Sequence, residues 1–359
     1  MHADGLAALQ MFVLFLFQEN IFSMEIKSCN SMSGDNKEHC LQRLASNALD
    51  QYELAAANVQ FIGVYSNILF RIHTVCGSSY LLRICTPSWR TDVDILSEIV
   101  WLQALNRDTD IGVPQPQPDR YGNFIVTARD AESPIAYRCV IMSWLPGVPL
   151  GTQLTETNVY KLGALFAQLH SHAANFSHPN HFTQRKMNSL FALGEQDILL
   201  SDACRTAFTP QTRDIVEQTR KQVDAAFEHL YENATELCII HNDLHHNNVK
   251  IYQERLHPFD FDFTMWGYPV QDLAVALHGL LLAKPDAFET LQEALRAGYE
   301  SRAKWPEHYP GQIDTFLAGR VLWATNYMIQ SEYAHLKEYL DGWIPHLTGF
   351  LETGLLRVK

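Results

Sequence analysis

Apolar positions along this chain follow two different periods. From Val59 to Ile84 they alternate with polar residues or gather in short β-branched runs, which predicts strands at 59–64, 68–75 and 80–84. Gly63-Val64-Tyr65-Ser66-Asn67 joins the first two, and Cys76-Gly77-Ser78-Ser79 is a turn signal before the third. A helix then opens on Thr91-Asp92-Val93-Asp94, a capping-box pattern, and carries Ile95, Ile99, Leu102 and Leu105 on one face, with Glu98 beside that stripe. Residues 122–127 and 137–144 read as two further strands. The second is apolar enough to be buried and ends in Met142-Ser143-Trp144-Leu145-Pro146-Gly147, where Pro and Gly stop it.

Beyond Leu150 the period becomes helical. Val159, Leu162, Leu165, Phe166 and Leu169 form a 3.6-residue stripe ending near His170 and His172. Those two histidines read as a helix C-terminus, where the dipole favours them, rather than as metal ligands. Residues 211–232, 284–303 and 313–336 read as further helices. Trp266, Tyr268, Trp305, Tyr309, Trp323 and Tyr327 are either core or the wall of a pocket that holds a cationic head by cation–π contact.

Residues 240–264 read IHNDLHHNNVKIYQERLHPFDFDFT and hold three aspartates, three asparagines and four histidines among short β-prone runs. Unpartnered charge is costly to bury there, so the cluster points to a site. His241, Asp243 and Asn248 fall on a loop. A strand at 249–252, a polar turn at 253–255 and a second strand at 256–263 follow. In that second strand Phe259, Phe261 and Phe263 alternate with Asp260 and Asp262, so period two puts the rings on one face and both carboxylates on the other. A turn centred on Glu254 sets Asn248 opposite Asp260, with Cβ atoms about 4.5–5.5 Å apart. An amide oxygen beside carboxylates is a hard-oxygen set suited to a magnesium ion carrying nucleotide phosphates. Asp243 lies within a loop's reach and can accept a proton from an incoming hydroxyl. Taken singly, Asp243 also fits a helix N-cap and His241 a satisfied core histidine. A zinc hydrolase built on His241, Asp243, His245 and His246 is a sharper rival, but the order matches no usual zinc signature and leaves Asp260 and Asp262 unexplained. His245 and His246 read as loop-surface or substrate-side residues.

The pattern His241-x-Asp243-x-x-x-x-Asn248 followed by Asp260-Phe261-Asp262 resembles the aminoglycoside phosphotransferase and choline-kinase-like superfamily of small-molecule kinases, relatives of the protein kinases. The run Trp266-Gly267-Tyr268-Pro269-Val270-Gln271-Asp272-Leu273-Ala274 is similar to that family's segment beyond the metal aspartate, with Asp272 starting a helix as its cap. The resemblance implies an α+β, bilobal, protein-kinase-like fold with a small antiparallel-sheet N-lobe and a mainly helical C-lobe. It implies Asp243 as catalytic base, His241 as support for the loop, and Asn248 and Asp260 as Mg²⁺ ligands, assisted by Asp262. ATP would be held by Arg83, paired with Glu98, on its α/β-phosphates. The backbone around Gly63, Ser66 and Asn67 would cover the phosphates, and Ser143, Trp144 and Leu145 would meet the adenine at the hinge, with Met142 packed behind. A GxGxxG loop and a Walker A motif are both absent. The acceptor would be a hydroxyl on a small molecule of amino-alcohol, amino-acid, sugar or aminoglycoside type. The rival within the same fold is a catalytically silent nucleotide- or metabolite-binding protein.

Composition changes the picture little. The 359 residues are 47% apolar and 19% charged, an ordinary globular balance with room for about two domains. The formal net charge of −13 offers no basic stripe for nucleic acid and suits a neutral or cationic acceptor. Seven scattered cysteines without a CxxC pair fit a reduced, cytoplasmic setting. The apolar run LQMFVLFLF is too short to span a bilayer and lacks a basic flank, so no stable membrane span is expected. The polar run 31–39 reads as a linker, with Met24 or Met32 as a possible start. Residues 1–50 are accordingly expected outside the fold, 51–147 as nucleotide-binding lobe and hinge, and 148–359 as catalytic and substrate-binding lobe.

Overall fold

The computed structural model describes residues 34–87, 90–131, 134–201, 204, 208–330 and 335–356, with side chains from His39 onward. The chain separates into two units: Met1–Pro146 with His178–Phe182, and Gly147–Ser177 with Thr183–Lys359.

The first unit is built on one antiparallel sheet. β1 (Ala56–Val64), β2 (Asn67–Thr74), β3 (Ser79–Cys85), β4 (Pro116–Gln117), β5 (Val126–Arg129) and β6 (Ala136–Ser143) lie in the order β1-β2-β3-β6-β4, with β5 also pairing β6. Two helices accompany it, α1 (Gly34–Leu49) and α2 (Asp92–Asp108). α2 begins as its sequence dictates: Thr91 caps it, the Asp94 backbone N–H donating to Thr91 Oγ1 while Asp94 Oδ2 accepts from the Thr91 N–H. The strand expected at 122–127 lies further on, because Gly122 occupies a turn at φ +89° and pairing starts only at Val126.

α1 corrects the expectation that the fold starts near Asp50. Cys40, Leu41, Leu44, Ala45 and Ala48 are buried against Phe70, Ile72, Val126, Tyr137 and Ile141 of the sheet. Their spacing is helical, and each fully buried Leu contributes about 1.5–3 kcal/mol relative to exposure. Asn47 Nδ2 donates to the Arg129 carbonyl (2.8 Å) and Arg43 pairs with the buried Asp130 (2.9 Å), which ties the helix to the end of β5. The segment LQMFVLFLF lies outside the described residues.

The second unit is mainly helical: α3 (Glu156–Asn175), α4 (Pro210–Asn233), α5 (Pro269–Ala283), α6 (Phe288–Glu300), α7 (Gln312–Gln330) and α8 (Leu336–Thr353). The stripe read from sequence is the buried face of α3, which runs past His170 and His172 to Asn175. α3 and α6 approach backbone to backbone at two glycines. A Cβ on Gly163 would stand 1.9 Å from the Leu295 carbonyl oxygen, and one on Gly298 1.9 Å from that of Tyr160. Between the helices lie small strands: β7 (Val148–Pro149), β8 (Cys238–Ile240), β9 (Val249–Tyr252), β10 (Arg255–Pro258) and β11 (Met265–Gly267). They form the sheet β10-β9-β7 and the pair β11-β8. Among the described residues no helix is long and apolar enough to cross a membrane.

Candidate active site

The loop between β8 and β9 is held by one buried carboxylate. Asp272 Oδ2 accepts from the His241 backbone N–H (3.1 Å) and Oδ1 from that of Asn242 (2.8 Å). The same Oδ2 faces His170 Nε2 at 3.1 Å, and His170 Nδ1 faces the Tyr299 hydroxyl at 3.1 Å. A carboxylate only accepts, so His170 carries its proton on Nε2. This network repays the burial of the Asp272 charge. It also turns Asn242 into the left-handed region at φ 62°, a conformation asparagine tolerates well. Two expectations are corrected here. Asp272 is not a helix cap: α5 is capped at Tyr268, whose N–H donates to Gln271 Oε1 (2.9 Å). His170 does not mark the helix end, which lies at Asn175, but is a buried support for Asp272.

His241 is fully buried and uses both ring nitrogens inside the loop. Its Nε2 donates to the Phe259 carbonyl (3.1 Å), and its Nδ1 accepts from the Asp243 backbone N–H (3.3 Å). Burial lowers its pKa, which keeps the ring in that neutral form. The histidine therefore binds the loop to the segment leading into Asp260, and its geometry leaves no nitrogen for a metal.

Asp243 follows directly. Asn248 Nδ2 donates both to its carbonyl oxygen (2.9 Å) and to its Oδ2 (2.8 Å). Oδ1 makes no hydrogen bond among the described residues, and the side chain keeps 18% of its surface exposed. Burial, with Asp262 adding to it, pushes the carboxyl up to about 7 against the opposing pull of Arg320 and Asn248. A base poised there suits proton acceptance near neutral pH.

The hairpin carrying the expected metal ligands differs from the sequence reading. The turn is Gln253–Glu254, both at positive φ (48° and 62°), so Tyr252 pairs with Arg255 and the register ends at Val249 opposite Pro258. Asn248 therefore stands opposite Phe259, whose N–H donates to its carbonyl (3.0 Å), and not opposite Asp260. β10 stops at Pro258. Asp260 takes the left-handed conformation (φ 67°, ψ 56°) and Phe261–Phe263 form a 3₁₀ turn, so no strand alternation presents the two carboxylates on one face. The donor set still suits a hard cation. With its NH₂ committed twice to Asp243, the Asn248 amide turns Oδ1 away from that residue, and Asp262 is a fully buried carboxylate felt by both Asp243 and His241.

In the first unit the expected ion pair is present and bidentate. Arg83 Nη1 and Nη2 donate to Glu98 Oε1 (2.9 Å) and Oε2 (2.6 Å), all buried. Arg90, absent from the sequence reading, adds a third bond to Oε2 (2.5 Å) and donates to the Asp94 carbonyl (2.6 Å). Burial alone would raise the Glu98 pKa, but the two guanidiniums carry it down to about 2. Gly63 lies within β1 at a register shift rather than in the turn itself, which is Tyr65–Ser66. Ser66 and Asn67 are buried, and Thr86 Oγ1 donates to the Ser66 carbonyl (2.7 Å). At the end of β6 the Ser143 N–H donates to the Gln115 carbonyl (2.9 Å) and that of Trp144 to the Ser79 carbonyl (3.0 Å). These two N–H groups are therefore spent within the unit and are not donors for an adenine. Leu145 is half-buried, and Met142 is buried as expected.

Of the aromatic residues considered for an acceptor wall, Tyr268, Trp305, Trp323 and Tyr327 are buried. Arg320 already covers the Trp323 ring at 4.2 Å, and Arg296 lies 5.4 Å from that of Trp305. His246 is likewise buried rather than at the loop surface, its ring against Gly279 of α5. Arg320 and Arg90 carried no sequence signal beyond being arginines. Asp272 and His170 were visible, but their pairing spans about a hundred residues of chain.

Residues 59–310 match the model of the phosphotransferase enzyme family. Amicoumacin kinase of Bacillus subtilis is 21% identical over 241 residues, which cover 67% of this chain and 68% of that protein. A solved amicoumacin kinase, in complex with AMP-PNP, Ca²⁺ and Ami, is similar in fold with a TM-score of 0.72 and 18% identity, over 88% of this chain and 94% of that one. A microcompartment-associated aminopropanol kinase gives 0.70 and 20%, over 88% and 99%.

Proposed function

Because the chain belongs to the phosphotransferase enzyme family, we propose that it transfers the terminal phosphoryl group of ATP to a hydroxyl of a small molecule. The observation that carries the reading is Asp243: a partly exposed carboxylate with one oxygen fixed by Asn248, the other open, and its pKa near 7. Oδ1 would accept the hydrogen bond of the acceptor hydroxyl, aim its oxygen at the phosphorus, and take the proton as the new P–O bond forms and the bond from that phosphorus to the bridging oxygen breaks, leaving ADP. Asn248 keeps the carboxylate from rotating. Asp272, His170 and His241 keep the loop backbone from moving. Mg²⁺ would be held by Asn248, Asp260 and Asp262, and when bound it would neutralise phosphate charge and lower the pKa of nearby carboxyls.

Arg83, oriented by Glu98, would meet the α/β-phosphates. Since phosphoryl transfer is largely dissociative, positioning and charge stabilisation supply most of the rate. Similarity to an amicoumacin kinase and an aminopropanol kinase supports a small hydroxyl-bearing acceptor; cytoplasmic residence is part of the same proposal.

The test is ADP release from Mg-ATP across a panel of amino alcohols, hydroxy amino acids, sugars and aminoglycosides. Turnover that depends on an acceptor and is lost in Asp243→Asn and Asp260→Ala supports the reading. Tight nucleotide binding with no acceptor-dependent turnover would favour the silent binding protein instead.

A further inference from the structure

Within electrostatic reach of Asp243 the second unit places a cation without a hydrogen-bond partner among the described residues. Arg320 lies on α7, which packs along α5, and its half-buried guanidinium rests over the Trp323 ring at 4.2 Å. Trp323 is itself fixed: its indole N–H donates to Glu195 Oε1 (2.9 Å), while Glu195 Oε2 accepts from the Leu193 N–H (2.9 Å). The arginine stem is therefore held and its head oriented. Yet among the described residues Arg320 makes no hydrogen bond and no ion pair, and its Nε is buried without a partner. A guanidinium offers five donors, and withdrawing one from water unmatched is costly, so this position favours an anion.

The charged groups facing Arg320 are few. Asp243 acts on it most strongly and Glu195 next, but neither reaches ion-pair distance. The buried Tyr339 hydroxyl acts on it third, and the other titratable neighbours are histidines. His246 and His278 are buried, and His245 Nε2 lies 3.9 Å from Asp243 Oδ2. His245 Nδ1 accepts from the Asn247 N–H (3.2 Å), which leaves its proton on Nε2, the nitrogen nearer Asp243. Burial, with Arg320 adding for His245 and His278, keeps all three rings neutral. The Asp243 carboxylate thus has a neutral N–H donor 3.9 Å away and lies within the field of one fixed cation, and the aromatic face nearest that cation is already covered. This is a poor seat for an ammonium head and a good one for a carboxylate.

We propose that Arg320 is a specificity-determining residue that binds a carboxylate of the acceptor, so that the acceptor class is an alcohol bearing an anionic group close to its hydroxyl. The inference rests on the kinase reading of Asp243 for its setting and goes beyond it in naming the class. It also overrides the expectation, drawn from net charge alone, of a cationic or neutral acceptor: the field at the site is local, and bulk charge is screened beyond about 10 Å.

The test is calorimetric titration of the full chain with two matched pairs, ethanolamine against serine and isopropanolamine against threonine. Within each pair the members differ by one carboxylate. The carboxylated member should bind the wild type at least tenfold more tightly. Arg320→Met, which keeps an apolar stem over Trp323 but removes the charge, should erase that preference, and Arg320→Lys should restore part of it. Circular dichroism and thermal melting establish that the variants are folded. Equal or weaker binding of the carboxylated members, a preference that survives Arg320→Met, or no binding by any of the four overturns the proposal. ADP formation with the same compounds separates the two readings. A carboxylate preference without ADP removes the kinase reading alone, and ADP formation without an Arg320-dependent preference removes this inference alone.

Discussion

Replacing Glu98 by glutamine leaves the shape of the Arg83–Glu98–Arg90 triad nearly intact and removes the one negative charge between two buried guanidiniums. The size of the effect follows from two independent routes. The Glu98 carboxyl lies at about 2 in the folded chain against an ordinary 4.5. At about 1.4 kcal/mol per pH unit, this gap corresponds to about 3–4 kcal/mol. Breaking a buried ion pair by removing one partner costs about 3–5 kcal/mol on general grounds, and the two figures agree. The sign with pH is fixed by the same numbers. A carboxyl whose folded pKa is depressed contributes its full stability above 4.5 and loses it as pH falls toward 2. Urea unfolding of wild type and Glu98→Gln should therefore differ by about 3–4 kcal/mol at pH 7 and by visibly less at pH 3.5, where roughly one pH unit of the gap has been lost. A difference below about 1 kcal/mol at pH 7, or one that does not shrink in acid, would refute the reasoning.

Two further perturbations probe the frame. Asp272→Ala removes the acceptor of His241, Asn242 and His170 at once, so amide hydrogen exchange at His241 and Asn242 should quicken at least tenfold with the rest of α5 unchanged; unaltered protection would show that the carboxylate does not hold the loop. Gly163→Ala gains about 1 kcal/mol of helix propensity but places a Cβ 1.9 Å from the Leu295 oxygen, so net destabilisation of about 1–3 kcal/mol is expected in thermal unfolding. Gly342→Ala on α8, where nothing lies within 4 Å, should instead stabilise by up to about 1 kcal/mol, and equal effects at the two positions would contradict the close approach of α3 and α6.

Much of the site could be read from local spacing. The loop with His241, Asp243 and Asn248, the strand at 249–252, the capping box at Thr91 and the Arg83–Glu98 pair all depend on neighbours in sequence or on a single sheet and helix. The misreadings have local causes too. Gln253–Glu254 closes the hairpin with two positive-φ residues and no glycine, so the turn centre was misplaced by half a residue and Asn248 faced the wrong partner. The FDFDF run looks like strand alternation, but the left-handed Asp260 ends it after Pro258, a conformation that composition does not announce. α1 carried a helical stripe from Cys40 to Ala48, hidden behind polar residues that read as a linker. What no window could show is the long-range polar network: Asp272 with His170, Arg90 on Glu98, and Arg320 beside Asp243.

The most direct measurement of the central claim is phosphorus NMR of the chain incubated with Mg-ATP and an acceptor that supports ADP release. The account predicts a phosphate-monoester resonance growing as the terminal phosphate of ATP declines, absent from Asp243→Asn. Inorganic phosphate as the sole product, or an ester formed equally well without the Asp243 carboxylate, would contradict it.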